Sequence, residues 1–394
     1  MLRTLIVTND FPPNVGGVER FIFALAERMP PASVHVLAPA QEGTESFDRA
    51  LAFRVERLPM GRMLPSRRLR KRIAETLENE RPDVVLFGHA LPLGLAGPAI
   101  AKQGVPYVVL THGREYWLAK IPGLASLFRR VAESAAGVFA ISDYTARAID
   151  RVMPDHMEVS ILSPGVDANR FRPDVDGSWV RAELEAGFSP IVLCVGRLVR
   201  RKGQDKLIAA LPSVRQKFPG AILVLVGDGP NRRRLERIAG HLPDGAVRLV
   251  GEIRDEDLPA FYAASDVFAS PCRSRWLGLE VEGFGIVFME ASASGTPVLA
   301  GRSGGAAEAV NHRQTGLVVD GTDVDAISDG LIELLTDTRL GSRLAAAALQ
   351  RARDAFDWTH TSSSLTTYLS SVVASQSRKR VGAKTRFRRD GAGM

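Results

Sequence analysis

The chain has 394 residues, of which 45% are hydrophobic and 24% charged, with two cysteines and a formal net charge of +7. That is the balance of a soluble globular protein too long for one ordinary core, and two cysteines exclude a disulfide scaffold or a cysteine-based metal site. No run of about 18 apolar residues occurs, so no spanning helix is expected.

The opening MLRTLIVTNDFPP has a short apolar stretch, then Asp10 and two prolines, and reads as a first strand rather than an export signal. Cys194 lies within the apolar run IVLCV as a buried small hydrophobe, and a reducing cytoplasm is the natural compartment. Strand-like runs then alternate with helical stretches. LRTLIVT, SVHVLAP, DVVLFG, VPYVVLT, AGVFAIS and EVSILSPG are the candidate strands of the first half, with helical spacing in ERFIFALAERM and RKRIAETLENE between them. PGVDANRFRPDVDGSW gathers Pro, Gly, Asp and Asn into a linker near residues 164 to 178. The second half repeats the theme with PIVLCVG, AILVLVG, AVRLVGE, SDVFASP, TPVLAG and GLVVD. Continuous apolar strands with helices between them predict α/β architecture: two doubly wound, Rossmann-like parallel sheets, with ligands at the carboxyl ends of the strands and a cleft between the domains as the default site. The expected division is 1–167, 168–357, a helix over 358–375 that packs back on the first domain, and a tail over 376–394.

The tail is where the charge is. RKRVGAKTRFRRDGAGM (378–394) carries seven basic residues and one acidic residue, which leaves the preceding 377 residues at +1. Such a tail is expected to be disordered, and two roles fit it: a solubiliser or a contact with an anionic membrane surface. Nucleic acid is not expected, because no recognition module accompanies it.

Three strand ends carry candidate chemistry. Gly16 and Gly17 follow the first strand and precede a helix, which suits an anion at a helix N-terminus and equally suits an ordinary turn; G-x-G-x-x-G is absent there. In GRLVRRKGQD, Arg197 and Lys202 straddle a turn after the first strand of the second half, either to grip phosphate or as part of a solvated basic turn with Arg200 and Arg201. In EVEGFGIVFMEASASG, Glu282 and Glu290 flank an apolar, glycine-broken run, although acids are seldom buried without partners. A helix entered near Gly285 would carry Glu290 inside it and Glu282 before it, so that the pair could hold separate hydroxyl-bearing ends of one ligand. A metal is the weaker reading of the pair, since no His or Cys accompanies it; two partly exposed helix-end acids are the structural alternative.

The E-x7-E pair Glu282/Glu290, the basic pair Arg197/Lys202 and the glycine turn Gly16-Gly17, together with THGRE around His112, VGDGP (226–230), SPGVD (163–167) and AGRSGGAAE (300–308), resemble the retaining GT-B glycosyltransferases of family 4 over roughly residues 2 to 370. TNDFPPNVGG, GRLVRRKGQD and EVEGFGIVFMEA are most similar to the bacterial GDP-mannose-dependent phosphatidyl-myo-inositol mannosyltransferases. The resemblance implies that Glu290 takes the ribose hydroxyls of a nucleotide-sugar co-substrate, best matched by GDP-mannose. Glu282 and the N–H groups of Gly283, Phe284, Gly285 and Ile286 hold the sugar and its phosphate. Arg197 and Lys202 neutralise the diphosphate, while Val250, Gly251, Glu252 and Ile253 lie near the base. His112 covers the sugar or caps a strand end, and Asp10 faces the acceptor hydroxyl or caps a turn. Transfer proceeds by same-face attack with a β-phosphate oxygen taking the proton, without a metal or other cofactor. The acceptor implied is an inositol glycolipid, which places the protein as a peripheral enzyme at the inner face of the plasma membrane. SRRLRKRIAETLENE and EYWLAKIPGLASLFRRVAE are amphipathic stretches that fit either lipid or core contact there. Other nucleotide sugars would use the same donor motifs, and a two-lobed sugar-binding protein is the alternative from another class.

Overall fold

The computed structural model of the chain describes residues 1–14, 16–113, 120–276 and 278–390. It divides into two units, one made of Met1–Ile141, Thr145–Leu162 and the chain from Thr361 onward, the other of Ser142–Tyr144 and Ser163–His360.

The first unit is built on seven parallel strands: β1 (Thr4–Val7), β2 (Val34–Pro39), β3 (Arg54–Leu58), β4 (Val84–Phe87), β5 (Tyr107–Thr111), β6 (Gly137–Ala140) and β7 (Val159–Ile161). Their order is β3-β2-β1-β4-β5-β6-β7. β1, β2, β4, β5 and β6 are buried at every position, because helices cover both faces. β3 is the strand that the apolar-run reading omits. It sits at the sheet edge with Arg54 exposed and Arg57 paired to Asp48 at 2.8 Å, and charged edges are how sheets resist further pairing.

The second unit carries β8 (Ile191–Val195), β9 (Ile222–Val226), β10 (Val247–Gly251), β11 (Val267–Ser270), β12 (Val298–Gly301) and β13 (Leu317–Val319), in the order β10-β9-β8-β11-β12-β13, all parallel. In both sheets the order reverses beside the first strand of the unit, between β1 and β4 and between β8 and β11. Those two points are where doubly wound sheets open a crevice for ligands.

The amphipathic helices resolve toward packing. Leu69 and Ile73 of the helix Arg67–Glu80, and Phe128 and Val131 of the helix Pro122–Ser134, lie inside the first unit's core, while Ile121 at the start of the second stretch stays exposed and Leu124 half-buried. Arg67, Arg68, Arg70 and Lys71 remain exposed. Residues 114–119, the end of THGRE and the start of EYWLAKIPGLASLFRRVAE, lie outside the described residues. The final helix, Trp358–Asp390, docks through Tyr368, whose hydroxyl donates to the Ala136 carbonyl at 2.9 Å and whose ring meets Phe139 edge-on. It continues into the basic segment that composition alone assigns to disorder, as straight-chain Lys and Arg residues are good helix formers. Among the described residues no helix is long and apolar enough to cross a membrane.

Candidate active site

The second unit's crevice forms where the chain leaves β8 and β11. After β8 the chain turns through Arg197 and a short 3-10 segment, Arg200–Lys202, to Gly203, which starts the helix Gln204–Lys217. Gly203 has φ +79°, and a Cβ there would stand 2.2 Å from the Pro271 carbonyl oxygen, so only glycine lets this turn press against the end of β11. The turn carries Lys202 inward: it is buried, with Nζ 2.9 Å from Glu282 Oε2. Arg201, read from sequence as part of a solvated turn, bonds the same carboxylate oxygen. Arg197 keeps an exposed side chain, and its carbonyl accepts from Gln204 Nε2 at 3.2 Å.

Glu282 is held from every side. Its N–H donates to Ser303 Oγ at 3.2 Å, its carbonyl accepts from Gly305 N at 2.9 Å, and Cys272 Sγ donates to its carboxylate at 3.4 Å. Burial would raise this carboxyl, but the charges of Arg201 and Lys202 and the hydrogen bonds from Lys202 and Cys272 outweigh burial and hold it at about 2. Glu282 is therefore a fixed anion at neutral pH and cannot serve as a general acid. Cys272 is pushed the other way, to about 11, by burial and then by the charge of Glu282, so it remains a thiol that can donate.

A depressed carboxyl stabilises the fold above the ordinary value of 4.5, and that contribution is lost as pH falls from 4.5 through about 2. Acid titration of unfolding free energy should show Glu282→Gln losing the wild-type slope in that window, by an amount on the order of 3 kcal/mol. Parallel curves for the two proteins would contradict the assignment.

Gly285, at φ +93°, turns the chain into the helix Ile286–Ala293. The first N–H groups of any helix lack intrahelical partners, so Ile286 and Val287 bring backbone donors to the crevice end of this element, with Gly283, Phe284 and Gly285 in the turn that leads into it. Phe284 itself is buried with its ring 5.5 Å from that of Phe356. One turn into the helix, Glu290 is 1% exposed, and its carboxylate accepts from the Tyr262 hydroxyl at 2.8 Å. Val250, Gly251, Glu252 and Ile253 leave β10 at the carboxyl edge of the same sheet, with Val250 exposed and Gly251 O accepting from Gly227 N at 2.7 Å. Among the described residues no group of three or more His, Cys, Asp or Glu is placed to hold a metal ion.

The first unit's crevice gathers Asp10, His89 and His112. Asp10 follows β1, with its N–H on Thr8 Oγ1 at 3.0 Å. His112 follows β5, with Nε2 2.8 Å from the Gly88 carbonyl and its ring edge-on to Phe21. Nε2 must carry the proton to serve that carbonyl, since a carbonyl only accepts. Gly16 caps the helix Gly17–Glu27, but a Cβ on Gly16 would lie 2.1 Å from a carboxylate oxygen of Glu19. The helix end read as an anion seat thus already faces an acid of its own first turn, the arrangement the helix dipole favours. Nothing lies within 4 Å of the corresponding position on Gly17.

Sequence reasoning missed Arg201, Tyr262, Ser303 and His89. Arg201 carried a signal in its place beside Lys202; Tyr262 and Ser303 reach their partners from 28 and 21 residues away and left none.

Two parallel, doubly wound sheets are the architecture of the GT-B glycosyltransferases, and the family matches place the chain among them. The chain belongs to the family 4, group 1 glycosyltransferases: residues 15–170 match the model described as Glycosyltransferase Family 4, and residues 178–351 that of Glycosyl transferases group 1. It is 39% identical to the GDP-mannose-dependent alpha-(1-6)-phosphatidylinositol monomannoside mannosyltransferase of Mycobacterium tuberculosis, over 94% of this chain and 98% of that one. It is 37% identical, over the same shares, to the GDP-mannose-dependent monoacylated alpha-(1-6)-phosphatidylinositol monomannoside mannosyltransferase of Corynebacterium glutamicum. HepE from Anabaena, solved with UDP and glucose, shares the fold with a TM-score of 0.79 at 23% identity, covering 94% of this chain and all of that one.

Proposed function

We propose that this glycosyltransferase moves mannose from GDP-mannose to a mannosylated phosphatidylinositol, with retention of anomeric configuration and no metal. Support for the donor and acceptor comes from the mannosyltransferase relatives, which align over nearly their whole length. Support for the chemistry comes from one observation above the others: Arg201 and Lys202 converge on Glu282 at the sheet's switch point. In this reading Lys202, with three donors, serves Glu282 and the diphosphate together, and Arg197 closes on the diphosphate from its exposed position. Glu282 and the helix N–H groups hold the sugar and its phosphate, Glu290 the ribose and Val250–Ile253 the base. His112 covers the sugar, and Asp10 meets the acceptor hydroxyl. The acceptor oxygen bonds to the anomeric carbon on the face that the diphosphate leaves, and its proton passes to a β-phosphate oxygen. Charge grows on the departing diphosphate, where fixed cations and N–H donors lower the barrier most.

The test is transfer of radiolabel from GDP-, UDP- and ADP-linked sugars into a lipid extract. Labelled mannose from GDP-mannose in an inositol phospholipid whose acyl esters are released by mild base is the expected result; labelling from UDP- or ADP-sugars instead overturns the assignment.

In this reading the enzyme works at the cytoplasmic face of the membrane, drawn there by the basic tail and the exposed Arg67, Arg68, Arg70 and Lys71, because Leu69, Ile73, Phe128 and Val131 are spent on the core. Deleting 378–394 should weaken binding to phosphatidylglycerol vesicles at low salt, at about 1 kcal/mol per basic residue near the surface. Turnover of a soluble acceptor should stay unchanged. Unaltered vesicle sedimentation would reduce the tail to a solubiliser.

A further inference from the structure

We infer that His89 is a positioning residue for acceptor attack: it holds the Asp10 carboxylate in the orientation that receives the acceptor hydroxyl. The inference rests on the reading of Asp10 given above and adds a residue that neither the motifs nor the comparisons point to. His89 stands two residues past the end of β4, directly across the switch point from Asp10, which stands three residues past the end of β1. The two strands are in register, Val7 opposite Phe87, and Gly88 N donates to Val7 O at 2.9 Å, so the strand ends cannot drift apart. A Cβ at position 88 would meet Thr8 Oγ1 at 2.4 Å, and this close approach sets His89 beside the turn that carries Asp10.

The contact itself is specific. His89 Nδ1 lies 3.1 Å from Asp10 Oδ2, and the histidine side chain is 9% exposed while that of Asp10 is 27% exposed. The more buried partner thus grips one carboxylate oxygen of the more accessible one. The contact is an ion-pair approach at 3.1 Å, and since a carboxylate only accepts, it is favourable when Nδ1 carries a proton. The His89 ring also lies against that of His112, with centroids 4.8 Å apart, and His112 is itself fixed through Gly88 O. One dipeptide, Gly88-His89, therefore orients both side chains assigned to the reacting end of the first unit: His112 through a backbone carbonyl, Asp10 through an imidazole. A carboxylate held against an imidazole is restricted in orientation, which is what orienting an attacking hydroxyl requires.

Three variants test this in the full-length enzyme, with GDP-mannose and phosphatidylinositol monomannoside in detergent micelles. His89→Ala should lower kcat about 10- to 100-fold, the worth of one hydrogen bond to a charged group, with KM for GDP-mannose and Kd for GDP within about twofold of wild type. His89→Asn should recover most of that loss, because the asparagine amide nitrogen falls close to the place of Nδ1. Wild-type kcat in His89→Ala overturns the inference. So does an Asn variant as slow as Ala, which would mean that the ring matters only as packing, or a comparable loss of GDP affinity, which would mean wider damage. Asp10→Asn separates the two levels: turnover retained in that variant removes the reading of Asp10, whereas turnover lost there but intact in His89→Ala removes the positioning role alone.

Discussion

Glu282→Ala should abolish measurable transfer and weaken the fold in the same stroke. Removing one partner of a buried charge set costs about 3–5 kcal/mol, because the remaining charges stay desolvated. Here two cations share one anion, with Lys202 at 9% and Arg201 at 26% side-chain exposure. Without the carboxylate they face each other across the space it filled. Loss of a donor or acceptor aimed at the reacting group costs a further 10²–10³-fold or so in turnover. The variant also carries a signature that a merely structural glutamate would not give. A diphosphate binds the native state only, so it stabilises by mass action. In Glu282→Ala it also supplies the missing anion, and the rise in Tm on adding GDP should exceed that of the wild type. Calorimetry with and without GDP reads both numbers. A variant that melts like the wild type, or that gains less from GDP, would show that the cations are satisfied by something other than this carboxylate.

How much of this was legible follows from what a sequence pattern records. All six strands proposed for the second half exist; β8, β9, β11 and β12 are buried at every position and so appear as apolar runs, while β10, VRLVG at the sheet edge, is only partly buried and was legible through its aliphatic residues. β3 failed that criterion because its residues RVERL alternate charge with aliphatics at a sheet edge. Glu282 and Glu290 stood out because acids within an apolar run demand an explanation, and the structure places both inside the second unit. Their partners were another matter. Tyr262 sits in FYAAS, where it reads as one more core aromatic, and only the fold brings its hydroxyl to Glu290. The two amphipathic segments were ambiguous for a physical reason, since a lipid surface and a protein core select the same helical stripe. Burial of Leu69 and Ile73 decides for the core in the first, whereas the second is divided, with Phe128 and Val131 buried and Ile121 exposed.

The two units differ in the chemistry they gather. The second unit supplies fixed charge of both signs, held rigid by the Ser303–Gly305 loop, and is suited to a ligand that carries both phosphate and hydroxyls. The first gathers an acid and two imidazoles, Asp10, His89 and His112. A polar network is worth most when every member is satisfied, and each glutamate of the pair has a donor in the structure. Substitutions that keep the shape of such a network while changing one charge are therefore the most informative.

Glu290→Gln is the clearest of these. The glutamine keeps the length of the side chain and a carbonyl oxygen for the Tyr262 hydroxyl, so the buried bond at 2.8 Å survives and Tm should hold within about 3 °C. What it loses is the second carboxylate oxygen, replaced by an amide that donates where ribose hydroxyls also donate. A hydrogen bond to a charged group is worth about 1.5–3 kcal/mol, so GDP affinity should fall roughly 10- to 150-fold. The loss should be smaller for a diphosphate lacking the nucleoside, because pyrophosphate has no ribose for this position to hold. Titration of both ligands into both proteins gives the comparison. Equal weakening of pyrophosphate and GDP would move Glu290 from the ribose to the phosphates, and unchanged GDP binding would leave it a buried partner of Tyr262 with no ligand role at all.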